Sequence, residues 1–310
     1  MKQRLSEFEN LKLELFAYFI AEVITITFFV TYLRVQLSMV SGKIYFDKQN
    51  DIDPKPEVQF NELSETCHSA ASSGNGKGNN MFAGSRYHIF VSLLDYFYQF
   101  GIEHLVNAVK RIVKESFKSL PVTEKVTMKR LFQVLDNVKD SIFDQLEQLI
   151  EENSKLVFSM LNGVKSDAEL DPNSELFIEA KHCVALKDEM MDIVRTDDFT
   201  EVIQNCASIG FSNMYDFLSE CFVKAQLHND RQEFRQEFIN PNTIVLPLVK
   251  LLPEIWANQQ EIKSAGHFDD NKKNRNSTLV QYLLCSDSLT CFSANLYEAF
   301  CNENFSHRSF

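Results

Sequence analysis

A chain of 310 residues with 45% hydrophobic content is long enough to bury a substantial core, in one large domain or two. Nine glycines and seven prolines are too few for the many tight turns of a sandwich or barrel, and favour long helices joined by a few loops. A net charge of −12 argues against nucleic acid as a partner, because phosphate-backbone binding needs a concentrated surplus of Lys and Arg.

The first predicted helix covers residues 3–40, with apolar side chains at Leu5, Phe8, Leu11, Leu15, Tyr18 and Phe19 spaced by three and four to form one helical face. Its centre, ELFAYFIAEVITITFFVTYL at 14–33, has no Lys, Arg or Pro and is long enough to cross a bilayer. Glu14 and Glu22 favour a core helix instead. A carboxylate near a bilayer centre is costly, whereas in a bundle it reaches an edge or a partner. The alternative is an integral membrane protein spanning at 14–33 with a helical soluble domain of other function.

Gly42 reads as the stop of this helix, and KIYFDKQNDIDPKPE as the start of an irregular region. The polar stretch 51–85, with SSGNGKGNN at 72–80, reads as a flexible loop. A second helix is expected from Tyr87 to about Leu120, ended by Pro121, and a third from Val122 to Asn153 as its antiparallel partner. A second flexible loop, 154–175, contains most of the linker NGVKSDAELDPNSEL. A fourth helix follows at 176–194, and Thr196 and Asp197 supply N-cap chemistry for a fifth at about 198–228. Pro241 opens a stretch through Ile262 that Pro247 and Pro253 would kink or break. After the polar loop GHFDDNKKNRNS the last helix runs from Ser277 to about Cys301. No alternation is long enough to build a sheet. The expected fold is all-α: a single elongated bundle of about six to seven long helices over residues 1–310.

Catalytic and metal signatures are weak. GNGKG at 74–78 lacks the ending of a phosphate loop, and His88 and His104 have no ligand partners at metal spacing. Paired acids such as Glu151 and Glu152, or Asp197 and Asp198, sit at predicted helix ends, where solvation and the helix dipole account for them. No enzyme activity, metal or cofactor is expected. The seven cysteines lack a CxxC pair and fit buried thiols in a reducing compartment. Cys206, Cys221, Cys285, Cys291 and Cys301 read as small core hydrophobes.

The opening turns MKQRLSEFENLKLEL are more specific. They combine Leu5, Phe8 and Leu11 with the basic residues Lys2, Arg4 and Lys12, an aromatic anchor with nearby charge that suits an amphipathic partner helix. The same pattern equally allows Phe8 to join the bundle core.

The run LRVQLSMVSGKIYFD (33–47) resembles the end of the long first core helix of the peroxin-3 family. The segments DFTEVIQNCASIGFSNMYDFLSECF (198–222), LPLVKLLPEIW (246–256) and FSANLYEAF (292–300) are similar to that family in the same order. The resemblance covers nearly the whole chain and implies an elongated, twisted helical domain on the cytosolic face of the peroxisomal membrane. It also implies a docking role without catalysis: the family receives peroxin-19, which carries new peroxisomal membrane proteins, through an N-terminal amphipathic helix held in a hydrophobic groove. Phe8 aligns with the family's aromatic anchor, usually a tryptophan, so a ring is kept and the indole N–H donor is lost. Leu11 follows one turn on, Arg4 matches a basic position of the rim, and Lys250 matches a groove-lining lysine. Leu5 and Lys12 complete the expected groove set. Met1 aligns inside the family pattern, so the family's N-terminal anchor is expected to have no counterpart here.

Overall fold

A computed structural model describes residues 2–49, 97–158, 175–230, 240–257 and 275–302 of the chain. All of the loop expected at 51–85, with its GNGKG cluster, His88, the start of the second helix, the greater part of the 154–175 loop and most of the polar loop GHFDDNKKNRNS lie outside the described residues.

The described chain is built almost entirely of helices. Helix α1 (Lys2–Gln49) is followed by a single π-turn (Phe97–Gly101) leading into α2 (Ile102–Phe117), strand β1 (Lys125–Thr127) and α3 (Met128–Phe143). Next come α4 (Leu146–Phe158), α5 (Glu175–Val194) and α6 (Asp197–Asp230). Strand β2 (Val245–Pro247), α7 (252–257), α8 (Arg275–Leu284) and α9 (Asp287–Phe300) complete the order. The two strands pair antiparallel, Val126 opposite Leu246.

Helix α1 is the spine. Its 48 residues extend about 70 Å, and it packs against α2, α6, α8 and α9. Leu15, Phe16, Phe19, Phe28, Tyr32 and Met39 are fully buried, and one continuous core runs from Leu15 to Phe300. Ring contacts mark its path: Phe16 stacks on Phe117 at 4.5 Å, Phe19 meets Phe217 edge-on at 5.3 Å, and Tyr32 meets Phe199 at 5.5 Å. The Tyr32 hydroxyl shares a buried hydrogen bond with Ser154.

Several expected boundaries move, each for a local reason. Helix α1 does not stop at Gly42 but continues to Gln49, because that glycine admits α9 rather than ending a helix. The expected 122–153 helix begins only at Met128. Thr127 is extended (φ −91°, ψ 158°), and its Oγ1 accepts from Arg130 N at 3.2 Å as a helix N-cap. That helix also breaks at 144–145, and its continuation α4 reaches Phe158.

The stretch from Pro241 is a 3₁₀ turn, strand β2 and a second 3₁₀ turn (Leu248–Lys250) before α7. Pro247 lacks a donor and drives Leu246 toward extended backbone, which a short edge strand accommodates. The last helix divides at 285–286, where Ser286 is extended (φ −66°, ψ 125°). The fifth helix starts as expected, with Thr196 Oγ1 accepting from Phe199 N at 3.2 Å. Cys183, Cys206 and Cys221 are buried, whereas Cys285 and Cys291 are exposed rather than core. Burial pushes the Cys183 thiol up to about 11.

Candidate partner-binding surface

The apolar face read along the start of α1 divides in the fold. Leu15 and Phe19 are buried, while Leu5, Phe8, Leu11 and Tyr18 are 46%, 45%, 40% and 51% exposed. For Leu5, Phe8 and Leu11 the cause is where α2 ends, whereas Tyr18 lies beside Lys110 within the length of α2. Phe117, in its last turn, stacks on Phe16, so the turns of α1 before Lys12 run past that helix. The result is a broken strip of large exposed apolar side chains, spread over about 20 Å of one helix and interrupted by the buried Leu15. Phe8 does not join the core.

One edge of the strip is cationic. Lys110 and Lys114, one turn apart on α2, reach the Glu14 carboxylate at 3.5 and 3.3 Å. The Lys110 ammonium lies 3.9 Å from the centre of the Tyr18 ring. Its pKa is raised by the interaction with Tyr18 first and by Glu14 as well, which together outweigh burial. Tyr18 belongs by spacing to the same apolar face as the buried Phe19, but it stands exposed beside this ion pair, a tertiary contact that spacing does not signal.

Lys12 is not on the surface. It is 1% exposed, and its Nζ donates to the Leu120 carbonyl at 2.6 Å, to the Phe117 carbonyl at 3.3 Å and to Glu9 Oε2 at 2.6 Å. The two carbonyls belong to the last turn of α2 and the residues after it, where i to i−4 donors run out; the Phe117 carbonyl also accepts from Leu120 N at 3.1 Å. A site that supplies three acceptors for a long cation explains its burial, and places Lys12 beneath the strip instead of at its rim. The Arg4 backbone is in α1, and its side chain lies outside the described residues.

The other oxygen of Glu9 accepts from Val122 N at 2.6 Å. Burial works to raise the Glu9 pKa, but the Lys12 ammonium and the Val122 N–H outweigh it and hold the carboxyl below its ordinary value. Val122 in turn accepts from Val249 N at 3.0 Å, and Glu124 accepts from Leu248 N at 3.0 Å. The exposed Lys250 closes the turn that begins at Leu248. Two hydrogen bonds through Val122 therefore connect that turn to Glu9, next to Phe8 in sequence. Leu5, Phe8, Leu11 and Lys250 are brought to the same end of the bundle.

The family model of Peroxin-3 matches residues 8–299, starting at Phe8 itself. The chain belongs to the Peroxin-3 family. It is 24% identical to peroxisomal biogenesis factor 3 of Bos taurus over 317 aligned residues, covering 96% of this chain and 71% of that protein. The corresponding proteins of Rattus norvegicus and Homo sapiens are 23% and 22% identical with the same coverage. Peroxin-3 membership makes the chain a peroxisome biogenesis factor.

Proposed function

We propose that this Peroxin-3 chain is a docking receptor on the cytosolic face of the peroxisomal membrane. It binds the cargo receptor peroxin-19 and so promotes insertion of peroxisomal membrane proteins. The observation that carries the reading is the strip Leu5, Phe8 and Leu11, held exposed on a helix whose next turns are buried. An amphipathic helix recognises such a strip by laying apolar residues at three- and four-residue spacing along it. Arg4 joins the proposed set by its sequence position in the first turn of α1, and Lys250 supplies positive charge at the same end for an acidic residue of the bound helix. An exposed ion pair of this kind adds about 0–1 kcal/mol, so the aromatic anchor carries most of the affinity.

The test is calorimetry with the N-terminal helix peptide of peroxin-19. Phe8→Ala is expected to weaken binding about tenfold or more, roughly 1.4 kcal/mol, with helix content unchanged by circular dichroism. Unchanged affinity would remove Phe8 from the site.

A second reading rests on α1 itself: residues Leu5–Phe46 form a stretch long and apolar enough to cross a bilayer. The burial of its central residues against the other helices favours the bundle.

A further inference from the structure

A buried lysine is rare unless its charge is answered. Lys12 is answered completely: three ammonium donors meet the Leu120 carbonyl, the Phe117 carbonyl and the Glu9 carboxylate. An apolar side chain at this position would leave the Leu120 carbonyl and Glu9 Oε2 without the ammonium, so the charge is needed locally by the acceptors around it. That local need does not by itself explain why the acceptors come both from α1 and from the end of α2. What the ion pair adds is direction. The ammonium fixes α1 to the end of α2, and Glu9 fixes it to the connection that follows, through Val122 N. The same connection holds the turn bearing Lys250 through Val122 and Glu124.

We propose that Lys12 and Glu9 are the positioning pair of the docking strip. They set the first turns of α1 against residues 117–124, and through them against the Leu248–Lys250 turn, so that an amphipathic helix meets Phe8 and Lys250 at one separation. The inference rests on the docking reading above and deepens it. Neither residue touches the bound helix; both act through the groups that do.

Trp256, the single tryptophan of the chain, lies on α7 just after that turn, and its emission reports the turn's surroundings. The experiment compares Lys12→Met, Glu9→Gln and Phe8→Ala by calorimetry with the same amphipathic peptide, by circular dichroism and by Trp256 fluorescence of the folded proteins. Glu9→Gln keeps the side chain's length and leaves Lys12 its two carbonyls, so it decides the matter if Lys12→Met does not fold. Lys12→Met and Glu9→Gln are each expected to lose about fivefold or more in affinity, to shift Trp256 emission and to keep their helix content.

Wild-type affinity in the folded positioning variants, with binding lost in Phe8→Ala, would overturn the positioning role and leave docking standing. Reduced affinity with unchanged Trp256 emission would overturn the coupling to the Lys250 turn. Full affinity in Phe8→Ala would overturn both readings.

Discussion

A Cβ placed on Gly42 would lie 2.7 Å from the Phe300 Cβ and 2.8 Å from the Tyr297 carbonyl oxygen. Both atoms are on or next to the α9 backbone, so neither moves without moving the helix. Gly42 is thus the contact that lets α9 cross α1 closely, and Lys43, the next residue, lies over the Phe300 ring at 5.1 Å. Gly42→Ala is expected to destabilise the fold by about 1–3 kcal/mol, although alanine is the better helix former, and urea denaturation would measure it. The residue type alone pointed to a stop, because a glycine at a helix end and one at a helix crossing are identical in sequence. Lys12 misleads similarly. A lysine among surface-spaced residues reads as exposed until the carbonyls of Phe117 and Leu120, more than a hundred residues away, are known to face it.

Between elements, charge fixes one corner strongly. Glu151 on α4 accepts two parallel bonds from Arg195, both at 3.1 Å, and one ion pair from Lys155 at 2.9 Å. Arg195 stands at the corner between α5 and α6, so the pair ties α4 to that corner. Arg195 first, then Lys155, hold the Glu151 carboxyl at about 2, against an ordinary 4.5. A depressed carboxyl stabilises the fold above its ordinary pKa and loses that contribution as pH falls through its folded value. Wild type is expected to exceed Glu151→Gln by about 1 kcal/mol near neutral pH, the gap closing between pH 4.5 and about 2 in urea titrations. Elements of this length were legible in the sequence wherever a cap announced them: Thr196 followed by two acids marked α6 correctly. Thr127 caps α3 equally well but is followed by Met, Lys and Arg, with no Glu or Gln to complete a capping box. Strands of three residues are too short for alternation to register, which hid β1 and β2.

Across the whole molecule, α1 serves two purposes along one continuous helix. From Leu15 onward most of its apolar side chains are in the core, with Tyr18, Leu37 and Tyr45 exposed, and before Lys12 Leu5, Phe8 and Leu11 all stand exposed. Periodicity could not separate the two, because the division depends on where α2 ends, a tertiary fact. This division makes opposite demands on two phenylalanines. Phe28 is 1% exposed and stacks with Tyr32, so Phe28→Ala leaves a cavity and is expected to cost about 3–5 kcal/mol of stability in detergent-free buffer. Phe8 is 45% exposed, and its truncation should cost less than about 1 kcal/mol of stability while weakening peptide binding about tenfold or more. Were α1 a membrane span, Phe28 would face lipid or a loose interface, and Phe28→Ala would leave the denaturation of the remaining helices nearly unchanged. Thermal and urea unfolding of both variants, followed by far-ultraviolet circular dichroism, therefore separates a spine that organises the bundle from a helix that only anchors it.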